Sequence, residues 1–475
     1  MRKPVAVSVS DGWGRSGKES KPVRVKVEEN DDGEKSFSHD EIAGLRRVLL
    51  QWYDVNHRVL PWRRNPHSVK AESKEGALAS AAAAEDKSGF AYCVWVSEVM
   101  LQQTRVETVK DYYLRWMQKY PTVEDLANAD IEEVNKLWAG LGYYRRARFL
   151  LEGAKYVCEH CGGKMPSQVE DLHKIPGVGL YTASAIASIA FGRRAGVVDG
   201  NVIRVLSRLR ALPGDPRAPS NTKLQWKLAN SIVDADRPGC FNQALMELGA
   251  TVCTPKAPKC DSCPVSGSCH ALQKVKSWGK KSNPPSVMDY PEKVKKKPPR
   301  EETIRCCITI LSVEDQSYFV LVKRPEKGLL AGLWEFPNVT LSGEGGASQE
   351  SESARNPQGR EQLTALVNEI LENSSLEVCS EGGHQDLAEI GSFDHIFSHI
   401  KQKSVVDVVR LEADLKALEA LREKERVWVM PCDSEEGIKS LSTGVRKAIK
   451  LQKAGSKSKK ASNQCTLEQF FGKKK

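Results

Sequence analysis

The sequence predicts two folded domains of different class, all-α over residues 37–272 and α+β over 304–452. Three observations support this. Apolar residues first recur at helical spacing at Ile42, Leu45, Val48, Leu49 and Trp52, and helical segments joined by short turns continue from Tyr92 to Gly249. A stretch rich in Lys, Pro and Ser then reads as a basic linker over 273–303. From Ile304 the apolar period changes to two. Residues 304–311 and 317–323 read as a hairpin, 361–372 as a helix, and 403–410 and 426–430 as strands.

The flanking segments hold little that could form a core. Residues 1–36 are polar and charged, residues 453–475 are rich in Lys and Ser, and both are expected to be disordered. Residues 66–90, with a low-complexity centre at 77–84, read as a surface insertion. The 475 residues are 40% hydrophobic and 28% charged, with a formal net charge of +10. That surplus suits a polyanionic partner, although a solvated basic surface has the same composition. No apolar run approaches bilayer length, so no membrane partner is expected, and the chain is expected to be a monomer.

Four of the thirteen cysteines are clustered, as Cys253, Cys260, Cys263 and Cys269. Four thiols in one short loop point to a metal or cluster site, and the spacing alone fits zinc or iron–sulfur equally. The others, such as Cys93, Cys240, Cys306 and the pair Cys158/Cys161, read as reduced thiols in ordinary positions. The string from Leu172 to Thr182 holds Gly177 and Gly179 just before a helix. The glycines let the backbone turn tightly, and the free N–H groups of the helix start would suit a DNA phosphate. An ordinary turn between two helices uses glycine for the same reason.

Two carboxylates stand out. Glu98 lies in an apolar run from Val94 to Leu101, so a helix there buries it. A buried carboxyl keeps its proton and can act as a general acid, or it can pair with an arginine. Asp199 precedes Gly200 and Asn201, where Asp is a good helix N-cap. One protonated and one ionised carboxyl about a glycosidic bond is the usual arrangement for its cleavage.

These residues resemble the helix-hairpin-helix DNA glycosylases, and within them the MutY adenine glycosylases. The matching strings are Leu60 to Arg63, Trp95 to Thr104, Leu137 to Tyr144, Ile175 to Gly179, Val198 to Val202, Asn242 to Ala250 and the cysteine loop, in the family's order. The resemblance implies a two-lobed helical domain with DNA in its cleft, and a [4Fe–4S] cluster on the four cysteines. It implies base-excision repair of adenine mispaired with 8-oxoguanine or guanine in double-stranded DNA. Glu98 would protonate the adenine, Asp199 would stabilise the cationic sugar, and Tyr181 and Asn201 would line the pocket. Trp62, Arg63 and Gln243 would lie by the extruded base, and Gln103 and Tyr143 would fill the duplex. Related enzymes that also cut the backbone carry a lysine where Tyr181 stands. A phenol forms no Schiff base, so a monofunctional enzyme leaving an abasic site is expected.

Residues 304–450 resemble the Nudix-like domain of the same family, most clearly over Gly328 to Pro337. Glu361, Glu369 and Glu372 do not have the spacing of a Nudix hydrolase helix. Phe397, Ser398 and His399 match the family's loop for reading 8-oxoguanine. At the end of the chain Gln464, Leu467, Phe470 and Phe471 fit a sliding-clamp docking motif, and the surrounding lysines suit import to the nucleus. Mitochondrial import is left open by the basic start of the chain. Two other readings compete: a glycosylase of the same fold for oxidised pyrimidines or thymine mismatches, and a non-catalytic damage sensor. Tyr181 and the 397–399 loop weigh against the first, and Glu98 with Asp199 against the second.

Overall fold

The computed structural model describes residues 35–69, 87–278, 284–294, 298–342, 357–378, 387–397 and 399–454. Ser398, most of the 66–90 insertion, the N-terminal segment before Lys35 and the motif at Gln464, Leu467, Phe470 and Phe471 lie outside the described residues. The elements below all lie within one unit, Phe37–Lys475.

Helices come first, most of them joined by short turns. They are α1 (His39–Asn56), α2 (Lys87–Leu101), α3 (Val106–Lys119), α4 (Val123–Ala127), α5 (Ile131–Trp138), α6 (Arg145–Cys161), α7 (Val169–Leu172), α8 (Leu180–Phe191), α9 (Gly200–Leu209), α10 (Pro219–Ile232), α11 (Pro238–Thr251) and α12 (His270–Ser277). Local chemistry sets many of their ends. Ser38 and Glu41 make a reciprocal capping box at α1, Thr122 and Asp125 make another at α4, and a left-handed Gly162 closes α6.

These helices enclose two apolar cores, so the domain has two lobes. One core gathers Trp95, Trp116, Trp138, Leu150 and Ile186 from the middle of the chain. The other joins Leu49 and Tyr53 of α1 to Val205, Leu245 and Leu248, far along the sequence. Helix α8 is buried on nearly every face and serves both, with Ala183 and Ile186 in the first core and Ala185 in the second.

A seven-stranded sheet follows, in order β3-β2-β1-β6-β5, with β4 on β1 and β7 on β2. Its strands are β1 (Arg300–Val313), β2 (Gln316–Lys323), β3 (Trp334–Glu335), β4 (Asn338–Ser342), β5 (Ala388–Ile396), β6 (Ile400–Glu412) and β7 (Val427–Pro431). β1 and β6 run parallel, and the other pairs are antiparallel. Helix α13 (Pro357–Leu371) covers one face and the helix at 443–454 the other, each over its own apolar cluster.

The structure corrects two expectations. The stretch 273–303 is not a free linker. α12 continues through Ser277, Val287 is buried in the second lobe, the Tyr290 carbonyl accepts from Arg208 Nε at 3.0 Å, and β1 starts at Arg300. Isolated apolar residues in a Lys- and Pro-rich run suffice to dock it. The 66–90 insertion likewise ends earlier, because α2 starts at Lys87 and Phe90 is buried. The two domains also touch. Leu333 enters the first helical core, Lys323 Nζ donates to Glu132 at 2.8 Å, and Arg148 pairs with Glu326 at 2.9 Å.

Candidate active site

A cleft of about 510 Å³ opens between the lobes. The first lobe contributes Trp62, Arg63, Glu98 and Gln103, while Tyr181 comes from α8 and Asp199, Asn201, Gln243, Met246 and Glu247 from the other side. Nearly all the residues expected around an extruded adenine therefore meet in one place. Tyr143 does not line the cleft; it lies in the turn between α5 and α6 and is 46% exposed.

Glu98 belongs to a helix whose sequence is apolar on almost every face, which takes its carboxyl out of water. Burial pushes its pKa up to about 7. The Tyr181 hydroxyl donates to Glu98 Oε2 at 2.5 Å and pulls the other way, while the charge of Asp199 adds to the rise. Tyr181 also lies 3.4 Å from Met246 Sδ.

Asp199 has extended backbone and caps α9, accepting the Val202 N–H at 2.7 Å. Its second oxygen accepts from Asn201 Nδ2 at 2.8 Å. Arg204 Nη2 donates to Asn201 Oδ1 at 2.8 Å and so fixes which end of that amide faces Asp199. Burial raises the Asp199 pKa, and these hydrogen bonds oppose the rise. Capping and a place in the cleft thus coexist in one residue. Gly249 makes this possible, because a Cβ there would stand 2.6 Å from Asn201 Cβ.

Glu247 went unnoticed in the sequence reading. Its side chain is 1% exposed, yet it is ionised, paired with Arg58 at 2.8 Å and with Arg63 at 3.1 Å. These two arginines, with the Arg58 backbone N–H, hold its pKa at about 2 against a desolvation that would raise it. Arg63 therefore does line the cleft, but its Nη1 is committed to Glu247. A Glu inside the apolar run of α11 was the available signal, the same one that marked Glu98. Trp62 packs edge-on to Tyr113 with ring centroids 5.2 Å apart, and Gln243 Nε2 donates to the Gly239 carbonyl.

At the hairpin, Gly177 adopts φ +77° and a Cβ there would lie 2.4 Å from Phe149 Cβ, so no other residue fits easily. Gly179 differs from expectation. It has an ordinary φ of −80° with open space around it, so neither strain nor crowding demands glycine. Both glycines are exposed at the start of α8, a helix N-terminus that could receive an anion.

The cysteine loop leads out of α11. Arg208 Nη1 donates to Cys253 Sγ at 3.2 Å. Burial raises the Cys263 thiol to about 12, and charge on Cys253, Cys269 and Cys260 adds to the rise. The four sulfurs thus share one neighbourhood and one electrostatic need, a cation among them. Among the described residues, however, no three His, Cys, Asp or Glu side chains are arranged to hold a metal ion. The donor set fits a four-thiolate group; the loop as described stops short of ligand geometry.

In the second domain, Phe397 N donates to the Ile400 carbonyl at 2.8 Å, closing the β5–β6 hairpin. Phe397 is half-buried against His395, with centroids 4.4 Å apart, and His399 is exposed. Phe397 therefore sits at the surface end of β5 and is not a core residue.

Comparison with known proteins agrees with this geometry. Residues 96–230 match the HhH-GPD superfamily base excision DNA repair proteins, and residues 308–451 match the NUDIX domain. The chain is 45% identical over 403 residues to an adenine DNA glycosylase of Arabidopsis thaliana, covering 80% of this chain and 59% of that protein. It is 44% identical over 407 residues to one of Rattus norvegicus, covering 79% and 72%. To one of Schizosaccharomyces pombe it is 35% identical over 433 residues, covering 84% and 88%. The chain spans less than two thirds of the plant relative and most of the other two. With two lobes about an acid-lined cleft, a sheet domain behind them and relatives of this kind along most of its length, the chain belongs to the adenine DNA glycosylase family.

Proposed function

We propose that this chain removes adenine from double-stranded DNA where it is mispaired with 8-oxoguanine or guanine, leaving an abasic site. The observation that carries the reading is the carboxyl of Glu98, raised to about 7 inside a cleft that also holds Asp199. The glycosidic bond is shielded within the base stack, so the nucleotide must first be extruded. Glu98 then gives its proton to a ring nitrogen of the adenine, which makes the base a neutral leaving group. Positive charge develops on the sugar as the bond lengthens. The Asp199 carboxylate, oriented by Val202 N–H and Asn201, stabilises that charge until water adds. Among the described residues lining the cleft there is no lysine, which accords with hydrolysis without strand cleavage.

Cys253, Cys260, Cys263 and Cys269 would hold a [4Fe–4S] cluster. Bound there, it would cross-link their loop and offset part of the thiolate charge. The hairpin glycines would receive a backbone phosphate, Gln103 and Tyr143 would enter the duplex, and the loop at Phe397, Ser398 and His399 would read 8-oxoguanine. The motif at Gln464, Leu467, Phe470 and Phe471 supports docking to a sliding clamp, and the basic tail supports a nuclear location.

The test uses duplexes holding A opposite 8-oxoguanine, A opposite T, C opposite 8-oxoguanine, and thymine glycol opposite A. Cleavage of the adenine strand of the first duplex alone, and only after hot alkali, is the expected result. Cleavage without alkali, or preference for the pyrimidine lesion, would overturn it. Binding of the first duplex without base release would favour the sensor.

A further inference from the structure

Two residues, Gln103 in the cleft lining and Tyr143 in the turn between α5 and α6, have backbone conformations that L side chains avoid. Gln103 has φ 57° and Tyr143 has φ 49°. Such conformations persist only where neighbouring structure imposes them. Gln103 follows the end of α2, where the Val99 and Leu101 carbonyls accept from the Gln102 and Thr104 N–H groups at 3.3 Å. Tyr143 follows Gly140, Leu141 and Gly142 in the turn before α6.

One buried side chain reaches both turns. Arg146, in the first turn of α6, is only 8% exposed. Its Nη1 lies 2.9 Å from the carbonyl oxygens of Val99 and Met100 and 2.5 Å from that of Gln102. Its Nη2 faces Thr104 Oγ1 at 3.2 Å and the carbonyls of Leu141 and Gly142 at 3.3 and 3.1 Å. The guanidinium also lies over the rings of Trp138, at 5.1 Å, and Tyr143, at 5.5 Å. The Trp138 indole N–H donates to the same Gly142 carbonyl at 2.9 Å. Only a planar fork donates in two directions from one rigid group; a lysine ammonium has a single nitrogen.

We propose that Arg146 is the positioning residue that clips these two turns together, holding Gln103 and Tyr143 at fixed spacing so that they enter the duplex as one unit. The inference rests on the reading of that pair as the residues that fill the duplex. Arg146 is buried, does not line the cleft and bonds neither acid, so its contribution belongs to extrusion and leaves bond cleavage to Glu98 and Asp199.

The test separates those steps. 2-Aminopurine, whose emission rises on unstacking, is placed beside the mispaired adenine, and the duplex is titrated with full-length Glu98→Gln protein. Adding Arg146→Met should remove most of the emission rise, and Arg146→Lys in its place should return part of it. With Glu98 intact, Arg146→Met should slow single-turnover base release by about 100-fold, the order expected for a displacement near 1 Å. If Arg146→Met fails to fold, Arg146→Lys decides alone, since it keeps the charge and the stem: a reduced rise with an unaltered thermal transition supports the clip. A full emission rise in the Arg146 variants overturns it, even if release slows, because the effect then lies elsewhere. No rise with Arg146 intact would overturn the assignment of Gln103 and Tyr143, and the clip with it.

Discussion

Glu98 and Glu247 sit in one cleft, on helices of similar apolar character, yet their carboxyls are driven apart. Glu98 is raised to about 7 and Glu247 is lowered to about 2. Desolvation acts on both in the same direction. What differs is the company. Glu247 has two guanidinium groups bonded to it and a backbone N–H, whereas Glu98 has one phenol and a neighbouring carboxylate and feels Arg63 only at longer range. Burial alone therefore does not identify an acid; burial without a directly paired cation does. The comparison divides the cleft into a proton donor and a permanently charged anchor, and each can be broken separately.

The largest effect should come from Glu98→Gln. The amide keeps the shape and loses the proton, so single-turnover release of adenine should fall by about 10⁴-fold, the upper range for a general acid. Binding to the mispaired duplex should persist in a gel-shift assay. Unchanged release would remove Glu98 from the mechanism and revive the sensor reading. Glu247→Gln should act in the opposite manner, through the folded state. It leaves Arg63 buried without its counter-charge, and denaturant unfolding should show a loss of about 3–5 kcal/mol, the usual cost of breaking a buried pair. A Glu247 variant of full stability would show that water or the loop at Arg58 compensates.

The contrast between the two glutamates also shows how far sequence alone reaches. Both lie in apolar helical runs, and periodicity located both helices. Only the fold brings Arg58 and Arg63, over 180 positions away in the chain, to Glu247. Asp199 was readable as a cap from its immediate neighbours because capping is local. Arg146 was not, because its partners come from two separate turns. The Val287 contact was hidden for another reason: one apolar residue has no period, so docking of the 273–303 stretch left no pattern. The β1–β2 hairpin was visible in alternation, while β4 and β5 escaped. β5 shows why: it is a mostly exposed edge strand.

A pH profile sharpens the comparison. Glu98 must be protonated, so base release should fall about tenfold per pH unit above about 7. Asp199 must be ionised and its pKa is raised, so release should begin to fail on the acid side above the ordinary carboxylate range. Glu247, held near 2, should leave no mark between those limbs. Stability obeys the same shifts. Folded Glu98 binds its proton more tightly than the unfolded chain does, so its contribution to stability declines as pH rises from the ordinary Glu value to about 7 and then levels. A flat rate from pH 6 to 9 would remove the general-acid role.

Tyr181→Phe is the mildest test and the most specific. The phenol donates to Glu98 and lowers its pKa, so deleting the hydroxyl should move the alkaline limb of the rate profile upward. At pH 7 two consequences oppose each other: more Glu98 is protonated, but its carboxyl is less firmly oriented. The net change in rate should stay below about tenfold, in keeping with one hydrogen bond to an ionisable group. The direction of the limb matters more than the rate. An upward shift places Tyr181 beside the ionised carboxylate as its partner. A downward shift would mean that the hydroxyl stabilises the protonated form, and the contrast between Glu98 and Glu247 would then need a source of charge other than those described.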